Sequence, residues 1–257
     1  MISFVLSYFN QTETLRNHIH VWRSYDNLLD KVEFIIVDDC SEYDAVSVLK
    51  TENTDTLNIQ VYRIIDDIKF NIGGARNIGV SMTNNDWIII LDMDIIVTYE
   101  SLKHMFQLIE NDIQNVCYKF KRYIDIEKQT QDVQKRYSKK KNSVHPAVCL
   151  IRKNDYFQKV GGCDEDIVGK YGGTDEIFFH RIQMAKINII VDSKVLLEVD
   201  ASGECCPSMI KQKDYARNDI NFIQKCKSKS MKTILNQSRL RFKYLHVWGV
   251  FPRDLNI

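Results

Sequence analysis

Three short apolar runs at regular intervals constrain this chain more than any other feature. Residues 2–6 and 32–37 are almost wholly apolar, 59–64 are apolar but for Gln60 and Arg63, and each is followed by a polar break. A continuous run of this length, without alternation, reads as a strand buried on both faces. Between the first two, Leu15, Ile19 and Trp22 recur at helical spacing, with Thr12 or Thr14 placed to cap. Residues 45–49 read as a short second helix. Strand, helix, strand, helix, strand at this pace predicts βαβ units on a mostly parallel sheet.

A fourth apolar run, Ile88 to Leu91, leads straight into Asp92-Met93-Asp94. A chain leaving a buried strand delivers its next residues to the carboxyl edge of the sheet, where open α/β sheets bind ligands. Aspartates at i and i+2 on extended chain point the same way, so both can face one hard cation. The second run also ends in acids, Asp38-Asp39. Between these two acidic ends lies Phe70-Asn-Ile-Gly73-Gly74-Ala-Arg76-Asn-Ile-Gly79. Its glycines permit close backbone approach, and a helix starting near Ala75 would offer free N–H groups to a phosphate. Arg76 adds a planar cationic fork suited to pyrophosphate. No Gly-Lys-Ser/Thr follows, which excludes a Walker loop, and the glycine spacing is not the dinucleotide fingerprint.

The second half carries another cluster. Residues 101–109 form an amphipathic helix with Leu102, Met105, Phe106 and Ile109 inward, and 116–120 a strand. Residues 121–143 are rich in Lys, Arg, Gln and Asp and read as a solvated segment. A strand, a short helix and Gly161-Gly162 then lead to Tyr171-Gly172-Gly173-Thr174-Asp175-Glu176. Those last two carboxylates begin a helix, whose dipole favours their ionised form. Residues 187–191 and 195–199 read as closing strands, and the basic stretch 225–243 as a helical extension packed on the body. That tail could also touch a membrane surface or mediate self-association.

Composition narrows the function. A chain of 257 residues with formal net charge +1 suits one large domain and offers no overall electrostatic case for nucleic acid. Three Pro and ten Gly are too few for disorder or a repeat array. Seven Cys without CxxC or Cys/His spacing predict reduced thiols in a cytoplasmic protein. The N-terminus lacks a basic leader pattern, and no run approaches the ~20 apolar residues of a membrane span.

Four motifs in order, Ser7-Tyr8-Phe9-Asn10, Asp38-Asp39-Cys40-Ser41, Asn71-x-Gly-Gly-Ala-Arg76-Asn77-x-Gly79 and Leu91-Asp92-Met93-Asp94, resemble the nucleotide-sugar half of family 2 glycosyltransferases of the GT-A fold. The likeness runs from residue 2 to about 195. It implies a domain over 1–205, with a nucleotide-sugar half at 1–98 and an acceptor half at 99–205, and the helical extension at 206–257. It also implies that Asp39 reads the base, Asp92 reaches ribose or a metal-bound water, and Asp94 ligates Mn²⁺ or Mg²⁺. Ser7, Tyr8, Asn10, Gly73, Gly74, Arg76 and Met93 would complete the donor site. The Gly172-Gly173 segment is similar to the acceptor loop of family 2 and galactosyltransferase-like enzymes. There Asp175 matches the base that deprotonates the acceptor hydroxyl, with Gly172, Gly173 and Glu176 binding acceptor. Tyr171 and Thr174 depart from the Trp and Glu usual at those places. The usual third metal ligand, a His after the closing strands, is also absent, leaving Asp200 or His246 as candidates. The implied function is metal-dependent transfer of a sugar from a nucleotide sugar, UDP-linked, to a glycan hydroxyl with inversion. The alternatives are a sugar nucleotidyltransferase and an inactive binding module. Retention of Asp39, Asp92, Asp94 and Asp175 speaks against the second.

Overall fold

The computed structural model describes residues 1–123, 143–200 and 218–249. The first half alternates as its periodicity dictates. β1 (Ile2–Tyr8), α1 (Thr12–Arg23), β2 (Val32–Asp38), α2 (Ala45–Leu49), β3 (Ile59–Ile64), α3 (Ile72–Met82) and β4 (Trp87–Leu91) follow in turn. After them come β5 (Ile95–Ile96), α4 (Tyr99–Glu110), β6 (Val116–Tyr123), β7 (Cys149–Arg152), α5 (Thr174–Met184), β8 (Asn188–Val199), α6 (Ile220–Lys227), α7 (Met231–Leu235) and β9 (Tyr244–Trp248).

The strands form one sheet in the order β5-β8-β6-β7-β4-β1-β2-β3-β9. Strands β3, β2, β1 and β4 are parallel neighbours. Strand β7 runs antiparallel to both β4 and β6, and β9 runs antiparallel to β3. The sheet is therefore mixed rather than mostly parallel, because an apolar run specifies burial but not direction. The two closing strands expected at 187–199 are one strand, β8, with a register shift where it pairs β6.

Strand alternation divides the core into layers. Phe4, Leu6 and Tyr8 face one way, joining Leu15, Ile19 and Trp22 of α1. Trp22 stacks on Phe34 of β2 at 4.0 Å between ring centroids. Val5 faces the other way with Ile88, Ile90, Tyr156 and Phe178. Helix α3 lies on that second face, covering Ile35 and Val37 with Ala75 and Ile78. A Cβ on Gly79 would stand 2.5 Å from Val5 Cγ1, so glycine is what lets α3 sit this close to the sheet.

Two local expectations need correction. Neither Thr12 nor Thr14 caps α1; its N-cap is Gln11, without a side-chain hydrogen bond. The extension is not helical throughout, because residues 244–248 extend the sheet at β3. It does pack on the body. Lys229 Nζ lies 2.8 Å from both Asp164 and Asp166, and Arg241 bonds Glu165. Residues 206–217, 250–257, Cys205, Cys206 and nearly all of the basic segment 121–143 lie outside the described residues. The five described cysteines are free thiols. Among the described residues no helix is long and apolar enough to cross a membrane.

Candidate active site

The carboxyl ends of β1, β2 and β4 lie side by side, so their trailing residues meet at one edge. Of the two acids ending β2, Asp38 serves the fold. Its carboxylate accepts from Ser41 N at 2.8 Å and Ala45 N at 3.1 Å, closing the turn into α2. Burial pushes this carboxyl up, and those N–H groups act against the shift. Asp39 turns instead toward α3 and accepts from Asn71 N at 3.0 Å. Tyr8 is buried, its hydroxyl donating to Tyr43 O at 2.7 Å, and Asn10 Oδ1 accepts from Tyr43 N at 2.9 Å. Ser7 Oγ is buried at the end of β1. Met93 is buried, and its carbonyl lies 2.9 Å from His18 Nε2, which ties the Asp-x-Asp loop to α1.

Helix α3 begins earlier than its glycines suggest. Asn71 is the N-cap, its Oδ1 accepting from Gly74 N at 3.1 Å. Gly73 and Gly74 therefore lie within the first turn, not in a loop before Ala75. Arg76 follows on the same helix with its side chain only 2 % exposed. Its Nη2 donates to Asp92 Oδ1 and its Nη1 to Asp175 Oδ1, each at 2.6 Å. Burial disfavours the guanidinium charge, but Asp175 and Asp92 more than offset this, leaving its pKa well above the usual arginine range. One guanidinium thus joins an acid from the loop after β4 to an acid 83 positions further along the chain (175 − 92).

Asp92, Asp94 and His145 place ligand-capable atoms within 4.8 Å of one another. Two carboxylates at this spacing fit a hard divalent cation. His145 takes no part in the motifs read from sequence, and nothing local marks it, since it reaches the site from the segment before β7. Burial lowers its pKa to about 4, so the ring is neutral near pH 7. Nδ1 accepts from Ala147 N and Val148 N, both at 3.2 Å, which assigns the ring proton to Nε2. That Nε2 lies 4.0 Å from Asp92 Oδ2. The cluster therefore fits a cation through Asp92 and Asp94, whereas the imidazole could ligate only by exchanging its tautomer.

The other proposed third ligands fare differently. Asp200 N donates to Asp94 O at 2.9 Å, which brings Asp200 beside the cluster, though its carboxylate accepts from Asn17 Nδ2. His246 stands on β9, paired with Tyr62 at the far edge of the sheet. Four strand spacings separate β9 from β4, roughly 19 Å at the usual inter-strand distance. His246 is therefore not a ligand of this cluster.

Across the site, before α5, Gly172 and Gly173 have φ of +96° and +88°. Gly173 is the N-cap of α5, which sets Asp175 and Glu176 in the first turn. Asn218 fastens the preceding loop, its Nδ2 lying 2.8 Å from Gly172 O and its N 3.0 Å from Tyr171 O. Glu176 pairs with Lys227 of α6 at 3.0 Å. A groove of about 560 Å³ opens here, lined by Lys119, Tyr171, Asp175, Glu176, Phe179 and Lys227 among others. Asn77, which the motifs left without a role, is buried and makes four hydrogen bonds that join α3 to Tyr156, Cys163 and Glu165.

Comparison with known proteins places this geometry in context. A family model described as Glycosyl transferase family 2 matches residues 3–169. The succinoglycan biosynthesis protein ExoO of Rhizobium meliloti (strain 1021) is 31% identical over 106 residues, 41% of this chain and 29% of that protein. The S. aureus TarS crystal structure superposes with a TM-score of 0.61 at 14% identity, covering 79% of this chain and 37% of TarS. TarS 1-349 in complex with UDP-GlcNAc gives 0.61 at 13% identity, covering 88% of this chain and 70% of that one. The mannosyltransferase PcManGT from Pyrobaculum calidifontis, in complex with GDP-Man and Mn²⁺, gives 0.57 at 13% identity, covering 77% and 56%. At these identities the likeness is one of fold. The chain spans less than a third of ExoO and a little over a third of full TarS.

Proposed function

Since the chain belongs to glycosyl transferase family 2, we propose that it moves a sugar from a nucleotide sugar to an acceptor hydroxyl, with Asp175 as the base. The observation that carries this reading is the meeting of Asp92 and Asp175 across one guanidinium, at 2.6 Å to each. Donor-side and acceptor-side carboxylates converge although they come from separate motifs. Solved structures of similar fold hold UDP-GlcNAc or GDP-Man, which supports a nucleotide-sugar donor.

Breaking the bond between sugar and diphosphate adds one negative charge to a diphosphate that already carries two. A divalent cation, Mn²⁺ or Mg²⁺, supplies Lewis-acid neutralisation there when bound at Asp92 and Asp94. In this reading Asp39, which accepts from Asn71 N at the start of α3, reads the base. Asp175 is 38 % exposed and faces the groove, so its second oxygen can take the acceptor's proton as the hydroxyl attacks. A base acting directly on the acceptor supports a single displacement, with inversion. Tyr171 and Phe179 put aromatic rings in the lining of the groove, which supports a glycan acceptor.

The test separates binding from chemistry. UDP-, GDP- and CDP-sugars are first screened by thermal shift with and without Mn²⁺ to name the donor. Asp175→Asn should then bind that nucleotide as the parent does, while kcat falls ~100- to 10,000-fold. If Glu176→Gln loses kcat and Asp175→Asn keeps it, Glu176 is the base. Parental transfer rates in both variants refute a base at this helix start.

A further inference from the structure

We propose that Arg76 is a positioning residue, which aims Asp175 at the acceptor and anchors Asp92 without itself holding the diphosphate. The inference rests on the assignment of Asp175 as base.

The geometry distinguishes this role from a phosphate clamp. Arg76 is nearly inaccessible, and its two Nη groups are each engaged at 2.6 Å, one per carboxylate. A guanidinium held this way reaches a diphosphate only by releasing one acid. Its Nε is buried and has no hydrogen-bond partner among the described residues, so the group is held by these two contacts rather than by a wider network.

The contacts also choose which oxygens remain for substrate. Arg76 bonds Oδ1 of each aspartate. Oδ2 of Asp92 is left toward His145. Oδ2 of Asp175 is left without a described hydrogen bond, on a side chain that is 38 % exposed and lines the groove. A carboxylate fixed through one oxygen presents the other in a defined direction, and such orientation is worth large factors in rate. The burial of Arg76 makes the fixing firm, because a buried charge that loses a partner is strongly disfavoured. Asp175 itself stands on a helix behind two left-handed glycines, where little else described restrains its side chain. Donor-side and acceptor-side acids therefore share one rigid reference on α3.

Arg76→Met, Arg76→Lys, Asp175→Asn and the double variant Arg76→Met/Asp175→Asn test this in the full-length chain. Turnover is measured alongside calorimetric titration with UDP and Mn²⁺ in the absence of transfer. Asp175→Asn is read first. Parental kcat in that variant refutes the base assignment, and this inference with it. If it is slow, Arg76→Met should lose about 100-fold in kcat, with KM for the donor changing far less. Arg76→Lys should recover only part, since a point charge cannot reproduce a two-pronged fork. In the Asp175→Asn background, Arg76→Met should add less than about 3-fold, because residues acting as one unit are not additive. Three results overturn the inference while leaving the base in place: parental kcat in Arg76→Met, multiplicative losses in the double variant, or loss of UDP binding in Arg76→Met when the titration is run without Mn²⁺, where the cation held by Asp92 takes no part. If Arg76→Met does not fold, Arg76→Lys and its Asp175→Asn double carry the same comparison.

Discussion

Asn77→Ala should destabilise this protein more than most single substitutions, although Asn77 touches no reacting group. Its Nδ2 donates to Cys163 O at 3.0 Å and Glu165 Oε1 at 2.7 Å. Its Oδ1 accepts from Tyr156 O–H at 2.7 Å and Cys163 N–H at 2.9 Å. The side chain is fully buried. The four losses are unequal. Glu165 keeps main-chain N–H bonds from Leu240 and Arg241, and Cys163 N–H retains the Tyr156 oxygen at 3.3 Å. Cys163 O loses its side-chain donor, and the Tyr156 hydroxyl falls back on Cys163 Sγ at 3.4 Å. Two stranded buried groups at ~1–3 kcal/mol each give a cost of about 3 kcal/mol. For a chain of this size that corresponds to a fall of roughly 6–12 °C in Tm. Urea unfolding at unchanged m, with thermal unfolding beside it, measures the loss. Tyr156→Phe removes the stranded hydroxyl, so the double variant should be less destabilised than the sum of the singles by about 1 kcal/mol. A single-variant cost under ~1 kcal/mol, or strict additivity, would show that water replaces the amide and that this network does not hold residues 156–165 to α3.

Asp94→Ala should remove Mn²⁺-dependent stabilisation by UDP in a thermal-shift assay, since Asp92 and Asp94 are the carboxylates of the candidate cluster; undiminished stabilisation would place the cation elsewhere. His18 is buried and its pKa is lowered to about 4, chiefly by burial, so the folded ring stays neutral where an unfolded imidazole protonates near 6.5. The unfolded state binds more protons between those values, stability falls as pH drops through that window, and the His18 share is on the order of 3 kcal/mol by pH 4. His18→Gln should flatten that part of the stability–pH curve measured by urea unfolding, and an unchanged curve would refute the assignment. Gly173→Ala should cost about 2–4 kcal/mol, combining a left-handed backbone with a Cβ 2.8 Å from Ile167 and 2.9 Å from Ile223. A parental Tm in that variant would show that the loop before α5 can move.

Much of the fold was legible because its signals are local. Apolar runs and helical spacing delimit α2 at Ala45–Leu49 and β3 at Ile59–Ile64 as read, and place Asp92 and Asp94 at a sheet edge. Burial on two faces and a period of 3.6 are properties of neighbours in sequence, so a sequence displays them. Strand direction is not such a property. Nothing in Cys149–Arg152 states that it runs against β4, and nothing in Tyr244–Trp248 states that it pairs with β3. The start of α3 was misplaced because the glycines dominated the reading, whereas the Asn71 cap decides where the helix begins.

The site divides along the same line. Sequence alone determined which carboxylates are available and that Asp175 and Glu176 begin a helix. Only the tertiary structure decided that Arg76 joins Asp92 to Asp175, that His145 rather than His246 faces the Asp-x-Asp, and that Asn77 ties α3 to Cys163 and Glu165. Those contacts span 16 to 99 positions of chain. They are set by sheet order and helix packing, which bring distant side chains within 2.6 to 4.0 Å and leave no periodic trace in the residues between them.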